Sequence, residues 1–254
     1  MGVDALRLLD RAEEMREACR VEDGNPGLEL GLELARTPLL HVSGDFGLWV
    51  EQLVAESTGK NGKGIVPVQV GGEELEVRLP DPYELGQEFF RWEFATAVAG
   101  SALGVNPFDQ PNVQEAKDRT SALLSETRPV PGTGPRPEGD IDALLARAGP
   151  GHYVAIQAFI DPTREPELEP LIQRAEATGA AVAVGLGPRY LHSTGQLHKG
   201  GPDTGLFVQV VDDLGEELEI PGRPYGFRTL IAAQAVGDFA ALKERGRSIV
   251  RVGL

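Results

Sequence analysis

The stretch "HYVAIQAFIDPTREPELEPLIQRAEATGAAVAVGLG", residues 152–187, decides the fold class. Two apolar runs too short for helices, 152–160 and 180–187, flank "EPELEPLIQRAEAT", which has helix-forming composition. Apolar runs of this length are strands covered on both faces, and strand–helix–strand order calls for parallel pairing with helices laid over the sheet. Further on, "GLFVQVV" (205–211) and "SIVRVGL" (248–254) read as strands on either side of "FRTLIAAQAVGDFAALKERG" (227–246). The last of these is helical, with a candidate break at Gly237.

Toward the N-terminus the alternation repeats. Val3, Leu6, Leu9, Ala12, Met15 and Cys19 are spaced three or four apart, the stripe of an amphipathic helix. Asn25 and Pro26 are the N-cap and first residue of a second helix, "NPGLELGLELA". "PLLHVSG" (38–44) and "IVPVQV" (65–70) read as strands around the helix "DFGLWVEQLVAES", whose buried face is Phe46, Trp49, Val50 and Leu53. "EELEVRL" (73–79) offers one more short strand. A long helix is expected from Pro82 to about Leu103, then another over 112–126, where Asn112 and Glu115 stand in a capping-box relation. "TRPVPGTGPRPEGD" (127–140) packs four prolines and three glycines into 14 residues. Such a stretch resists regular structure. It divides the chain into a first α/β unit (1–127), a linker (128–140) and a smaller second α/β unit (141–254).

The 254 residues carry a formal charge of −15. That charge argues against a nucleic-acid partner, which requires a basic footprint. An anionic ligand would need a local set of donors, since the overall field repels it. No apolar run approaches a membrane span, and the charged N-terminus lacks a signal-peptide core. Cys19 is the single cysteine, so no internal disulfide forms, and no Cys/His spacing points to zinc. The expected location is the cytoplasm.

Three stretches carry candidate chemistry. Glu56, at the C-terminal end of a helix and beside the Gly/Lys loop 58–64, meets the negative end of the helix dipole. That suits a general base; the plainer account is an exposed helix-end glutamate. In "NPFDQPNVQEAK" (106–117), Gln110 can bond a phosphate or a sugar hydroxyl, and Lys117 can supply a proton or a charge; the plainer account is a helix cap. "GPRYLHSTGQLHKGGPDTG" (187–205) reads as a glycine-rich loop after a strand, where α/β proteins bind ligands. It holds Arg189, His192, Ser193, Thr194, Gln196, His198 and Lys199, and histidine moves protons near neutral pH. The two histidines lack a carboxylate or cysteine at ligand spacing, so no metal is expected.

Glu56 and Lys117 fall within a pair of signatures. "ESTGK" (56–60) resembles the E-S-N-G-K segment of the phosphoglucose isomerase family, with Thr58 in place of asparagine. "FDQPNVQEAK" (108–117) resembles that family's F-D-Q-x-x-V-x-x-x-K segment. "FGLWVEQLVAESTGKNGKGIVPV", "FFRWEFATAVAGSALGVNPFDQPNV" and "GPRYLHSTGQLHKGGP" are more similar still to the isomerase half of transaldolase/glucose-6-phosphate isomerase fusions. The resemblance implies a sugar isomerase domain, a three-layer α/β/α sandwich, followed by a C-terminal extension. It implies interconversion of glucose 6-phosphate and fructose 6-phosphate through an enediol, without cofactor or metal. Glu56 is then the base, Lys117 assists at the sugar ring, and Gln110 holds the sugar phosphate. The chemistry of the residues adds His192 and His198 as proton carriers, and Lys60, Arg189, Ser193, Thr194, Gln196 and Lys199 as substrate contacts.

Two departures qualify the expectation. The family's phosphate-binding Ser/Thr loop and active-site arginine belong to an earlier sugar isomerase domain, which nothing before residue 40 matches. The family's ring-opening histidine lies between the two signatures, where this chain has none. An upstream sugar isomerase domain or a second copy of the chain is therefore the expected partner, with little activity in isolation. The competing readings are a non-catalytic sugar-phosphate-binding or regulatory module, and a C-terminal unit that serves only assembly.

Overall fold

The computed structural model describes residues 2–75, 81–109, 111, 124 and 135–254. The chain is mixed α/β with parallel sheets between layers of helices, and no sheet closes into a barrel. The quoted stretch forms β3 (Tyr153–Phe159), a 3₁₀ segment (Pro162–Leu168), α6 (Glu169–Glu176) and β4 (Ala181–Leu186). With β5 (Gly205–Val211) and β6 (Ser248–Gly253) these strands make a parallel sheet in the order β4-β3-β5-β6.

Both central strands are buried along their whole length, because each face has a covering layer. Val154, Ile156, Ala158, Leu206, Val208 and Val210 point one way, against α5 (Ile141–Leu145) and α6. Tyr153, Ala155 and Phe207 point the other way, toward Leu242 of α8 (Phe227–Glu244) and Leu197 of α7 (Gly195–Gly200). Period-two alternation between two apolar layers is the packing signature of an α/β/α sandwich. Helix α8 runs through Gly237 without a break, and Gly237 is buried.

The first half supplies α1 (Ala5–Ala18), α2 (Pro26–Leu34), β1 (Leu39–His41), α3 (Gly44–Thr58), β2 (Val66–Val68) and α4 (Leu85–Leu103). β1 and β2 pair in parallel, and Glu73 bridges Leu40 on β1. Residues 76–79 of the expected strand 73–79 lie outside the described residues. Just past β2, Gln69 and Val70 exchange backbone hydrogen bonds of 2.8–3.1 Å with Val182 of β4. This antiparallel bridge joins the two sheets edge to edge. One apolar cluster draws Ala55, Val66 and Val68 from the first half and Tyr153, Ala183 and Phe207 from the second. The linker expected at 128–140 lies, as far as residue 134, outside the described residues.

Two local rules place the N-terminal helices. Asn25 caps α2 as its sequence predicts, accepting from the amides of Gly27 and Leu28 and donating to the carbonyls of Cys19 and Val21. Helix α2 then presses on α4 through Gly31, where a Cβ would stand 2.5 Å from Val98 Cβ and 2.6 Å from the Ala95 carbonyl. Helix α1 turns only the later part of its stripe inward: Ala12 and Met15 are partly buried and Cys19 is buried, while the first three members are exposed. Val3, Leu6 and Leu9 are 62%, 73% and 64% exposed. The cause is its anchorage: the Leu8 carbonyl occupies the space a Cβ on Gly86 would need, and Arg7 pairs with Asp81 and lies over the Tyr83 ring. Among the described residues no helix is long and apolar enough to cross a membrane.

Gly31→Val should therefore lower stability by about 1–3 kcal/mol, since neither neighbour can retreat without a backbone shift. A urea-unfolding midpoint unchanged by this substitution would contradict the close α2–α4 contact.

Candidate active site

Glu56 stands half-buried in the last turn of α3. Burial raises its carboxyl above the ordinary glutamate value; a hydrogen bond with Gln52 and the nearby charges of His192 and Lys60 offset part of that rise. A carboxyl whose affinity for protons is raised by burial, with a lysine and a histidine nearby, is suited to accept and return a proton.

The turn after Glu56 is a built structure. Thr58, where the resembled family has asparagine, is buried; its hydroxyl donates to the Val54 carbonyl at 2.7 Å and accepts from the Ile65 amide at 3.0 Å. It thereby ties the end of α3 to the approach to β2. Asn61 and Gly62 have φ of 55° and 74°, and Lys60 and Lys63 exchange backbone hydrogen bonds. That is the geometry which makes Asn-Gly a favoured two-residue hairpin turn. The turn aims both lysines at the end of α4. Lys60 Nζ donates to the Asn106 carbonyl at 2.6 Å and pairs with Asp109 at 3.0 Å. Lys63 Nζ donates to the Leu103 carbonyl at 2.6 Å. Residues 106–109, which lead into the second signature, are thus held against the first by the buried stem of Lys60.

The segment 187–205, expected as an open loop, is largely ordered and buried. It forms a 3₁₀ turn, Arg189–His192, followed by α7. The reason is the contact it makes with α3. A Cβ on Gly59 would lie 2.4 Å from Leu197 Cα and 2.7 Å from the Ala55 carbonyl, so glycine alone permits the approach. Gln196 Nε2 donates to the Gly59 carbonyl at 3.0 Å, the Gly62 amide donates to the Gly200 carbonyl, and Ser193 Oγ donates to Glu51 on α3 at 3.0 Å. Arg189 and His192 remain exposed; the charge of His192 reaches Glu56, and that of Arg189 reaches Glu51.

The other polar residues of this segment face the interior. His198 is stacked among Tyr153, Tyr190 and Phe207, and its Nδ1 meets Gln157 Nε2 at 2.9 Å. Burial pushes its pKa down to about 3, so the ring is neutral. Lys199 forms a buried ion pair with Asp238 of α8, which also accepts from the Tyr190 hydroxyl at 2.6 Å. Thr194 is buried at the start of α7. Beneath them runs a polar row that the apolar reading of the strands passes over. Gly185, Gln157, Gln209 and Arg251 are in register across β4, β3, β5 and β6. Arg251 Nε donates to Gln209 Oε1 at 2.7 Å, and Gln209 Nε2 to the Ala235 carbonyl. A glutamine at the same level of two apolar strands was its signal in the sequence.

The structure therefore brings together Glu56, Lys60, His192, Arg189, Ser193, Gln196 and the segment 106–109. His198, Lys199 and Thr194 lie inside the fold behind them. Gln110 and Lys117 lie outside the described residues. Glu51, Gln69, Tyr190 and Asp238 are the polar residues of this region that motif spacing did not single out. Among the described residues no group of three His, Cys, Asp or Glu side chains could hold a metal ion.

No protein-family model matches the chain. A segment of 54 residues is 48% identical to the glucose-6-phosphate isomerase of Leptospira biflexa serovar Patoc and covers 20% of this chain and 12% of that protein. The same shares are matched at 50% identity in the glucose-6-phosphate isomerase of Exiguobacterium sibiricum. In that of Heliobacterium modesticaldum 58 residues are 45% identical, 23% of this chain and 13% of that protein. The chain thus holds a region similar to glucose-6-phosphate isomerases, and the match spans a small fraction of those relatives' length. Among solved structures, a hypothetical protein from Thermus thermophilus is 15% identical, aligned over 97% of this chain and 83% of that one, with a TM-score of 0.39.

Burial raises Glu51 as well as Glu56 above the ordinary value of 4.5. The folded state then holds these protons more tightly than the unfolded chain. Their contribution to stability is full below that value and is lost as pH rises through the higher folded ones. Wild-type stability should accordingly fall relative to Glu51→Gln as pH rises above about 4.5. Parallel pH profiles of the two urea midpoints would contradict a desolvated Glu51.

Proposed function

We propose that this chain carries the proton-transfer centre of an aldose–ketose isomerase interconverting glucose 6-phosphate and fructose 6-phosphate. What carries the reading is the position of Glu56: a half-buried carboxylate raised by burial, within electrostatic reach of His192 and Lys60. The local similarity to glucose-6-phosphate isomerases supports it, and the kinship read in the signatures to transaldolase fusions belongs to the same proposal. Glu56 takes the proton from C2 and returns it to C1. The substrate's own carbonyl acidifies that proton, so the step needs no metal or organic cofactor. The enediolate's growing charge is met by His192 from the loop, with Lys117 assisting at the ring, and positioned charge of this kind acts most strongly where water is displaced.

Lys60 serves as a strut more than as a donor, because its ammonium is already shared between Asn106 and Asp109. In this reading Arg189, exposed at the start of the 189–192 turn, meets the phosphate, and Gln110 is a further donor to it. The remaining phosphate donors come, in this proposal, from an upstream sugar isomerase domain or a second copy of the chain, since a net charge of −15 opposes capture by the overall field.

Glu56→Gln is expected to slow isomerisation by at least about 100-fold while sugar-phosphate binding persists, as for loss of a general base. Turnover is read by formation of fructose 6-phosphate and binding by calorimetry. An unchanged rate would remove Glu56 from this role.

A further inference from the structure

The proton transfer above leaves one buried carboxylate of α3 unused. Glu51 is 2% exposed and lies five residues before Glu56, among Val50, Val54 and Ala55. An ionisable group there costs desolvation that a leucine or methionine would not, so its partners define what it does. Glu51 Oε2 accepts from Gln69 Nε2 at 3.0 Å. Gln69 is itself fixed, since its Oε1 accepts from the Val184 amide at 2.7 Å and its backbone amide donates to Val182. One oxygen of Glu51 is thereby fastened to the seam between β2 and β4. The other, Oε1, accepts from Ser193 Oγ at 3.0 Å.

Ser193 follows His192 directly and closes the 3₁₀ turn, its amide donating to the Tyr190 carbonyl at 3.0 Å. It is 3% exposed and its hydroxyl is spent on Glu51. Arg189, the charged group that acts on Glu51, belongs to the same turn, so charge and hydrogen bond draw one segment toward α3. Helix α3 thus carries two carboxylates with separate duties, Glu56 facing the open side and Glu51 gripping the segment that presents His192.

We propose that Glu51 is a positioning residue: by holding Ser193 against α3 it fixes where His192 stands relative to Glu56. This rests on the reading of Glu56 and His192 as the proton-transfer pair. Its structural half is measurable without turnover.

The test uses the full chain with Glu51→Gln and, separately, Ser193→Ala. Glu51→Gln keeps the shape but turns an amide toward one of its two donors; Ser193→Ala deletes a single oxygen. Both should speed backbone amide exchange across 189–193 by about tenfold, the loss of one buried hydrogen bond, and shift the ring resonances of His192. With glucose 6-phosphate as substrate, kcat should fall by up to about 100-fold with KM little changed, the signature of misplacement rather than lost binding. Unchanged exchange at 189–193 and an unmoved His192 resonance in both variants would overturn the proposal. So would a Ser193→Ala variant that raises KM and leaves kcat and exchange alone, because Ser193 would then be a substrate contact. If Glu51→Gln fails to fold, Ser193→Ala decides by the same readings. A wild-type chain that does not bind the sugar phosphate counts against the proposed function, while exchange and the His192 resonance still decide the clamp.

Discussion

The candidate site depends on the contact between the end of α3 and Leu197. Gly59 and Gly64 clear the space: a Cβ on either would come within 3 Å of Leu197. Through that gap α7 seats itself against the Glu56 helix, and Gln196, Gly62 and Ser193 then fasten the two segments by hydrogen bonds. Without it, the carboxylate from the first half and the histidine from the second would have no reason to share one side of the molecule. The same contact joins the two halves into one apolar cluster, since Leu197 packs with Ala55, Val66, Tyr153 and Phe207. The arrangement of the candidate site and the stability of the fold are therefore coupled here.

A second layer keeps the 189–200 segment in place from behind. Tyr190, Asp238 and Lys199 form one buried polar group, and His198 and Gln157 another. Gly185 lets Tyr190 lie over the sheet, because a Cβ there would meet Tyr190 Cβ at 2.7 Å. The paired Tyr190–Asp238–Lys199 group admits few alternative packings, whereas His198 Nε2 and Gln157 Oε1 are buried without a hydrogen-bond partner. The second half of the chain thus acts on the site through the frame that holds Arg189 and His192. The charged residues inside that frame, Lys199 and Asp238, are buried.

Much of this was legible in the sequence, for identifiable reasons. Tyr153–Phe159 and Gly205–Val211 could be read as strands because both faces are covered and the apolar run is continuous. Asn25 announced its cap because the capping geometry is local. Glu56 stood out through its helix end and its signature. What the sequence hid was set by contacts distant along the chain. The exposure of Val3, Leu6 and Leu9 at the start of α1 was settled by Gly86 and by the pairing of Arg7 with Asp81, while Ala12, Met15 and Cys19 follow the predicted stripe. The helix Gly195–Gly200, only 6 residues long, owes its place to Gly59, which stands 137 residues before Gln196. His192 and His198 are equivalent as letters; burial alone separates an exposed ring beside Glu56 from a neutral ring in the core. Glu51 reads as one more polar residue of an amphipathic helix until Ser193 and Gln69 are brought to it.

The central claim is that one open side of the molecule, built from Glu56, Lys60, residues 106–109 and the turn 189–193, receives a sugar phosphate. Titrating isotopically labelled protein with glucose 6-phosphate and mapping the amide shifts tests it most directly. The account predicts that saturable shifts concentrate at 56–62, 106–109 and 189–196. Shifts confined to other surfaces, or none at saturating ligand, would contradict it.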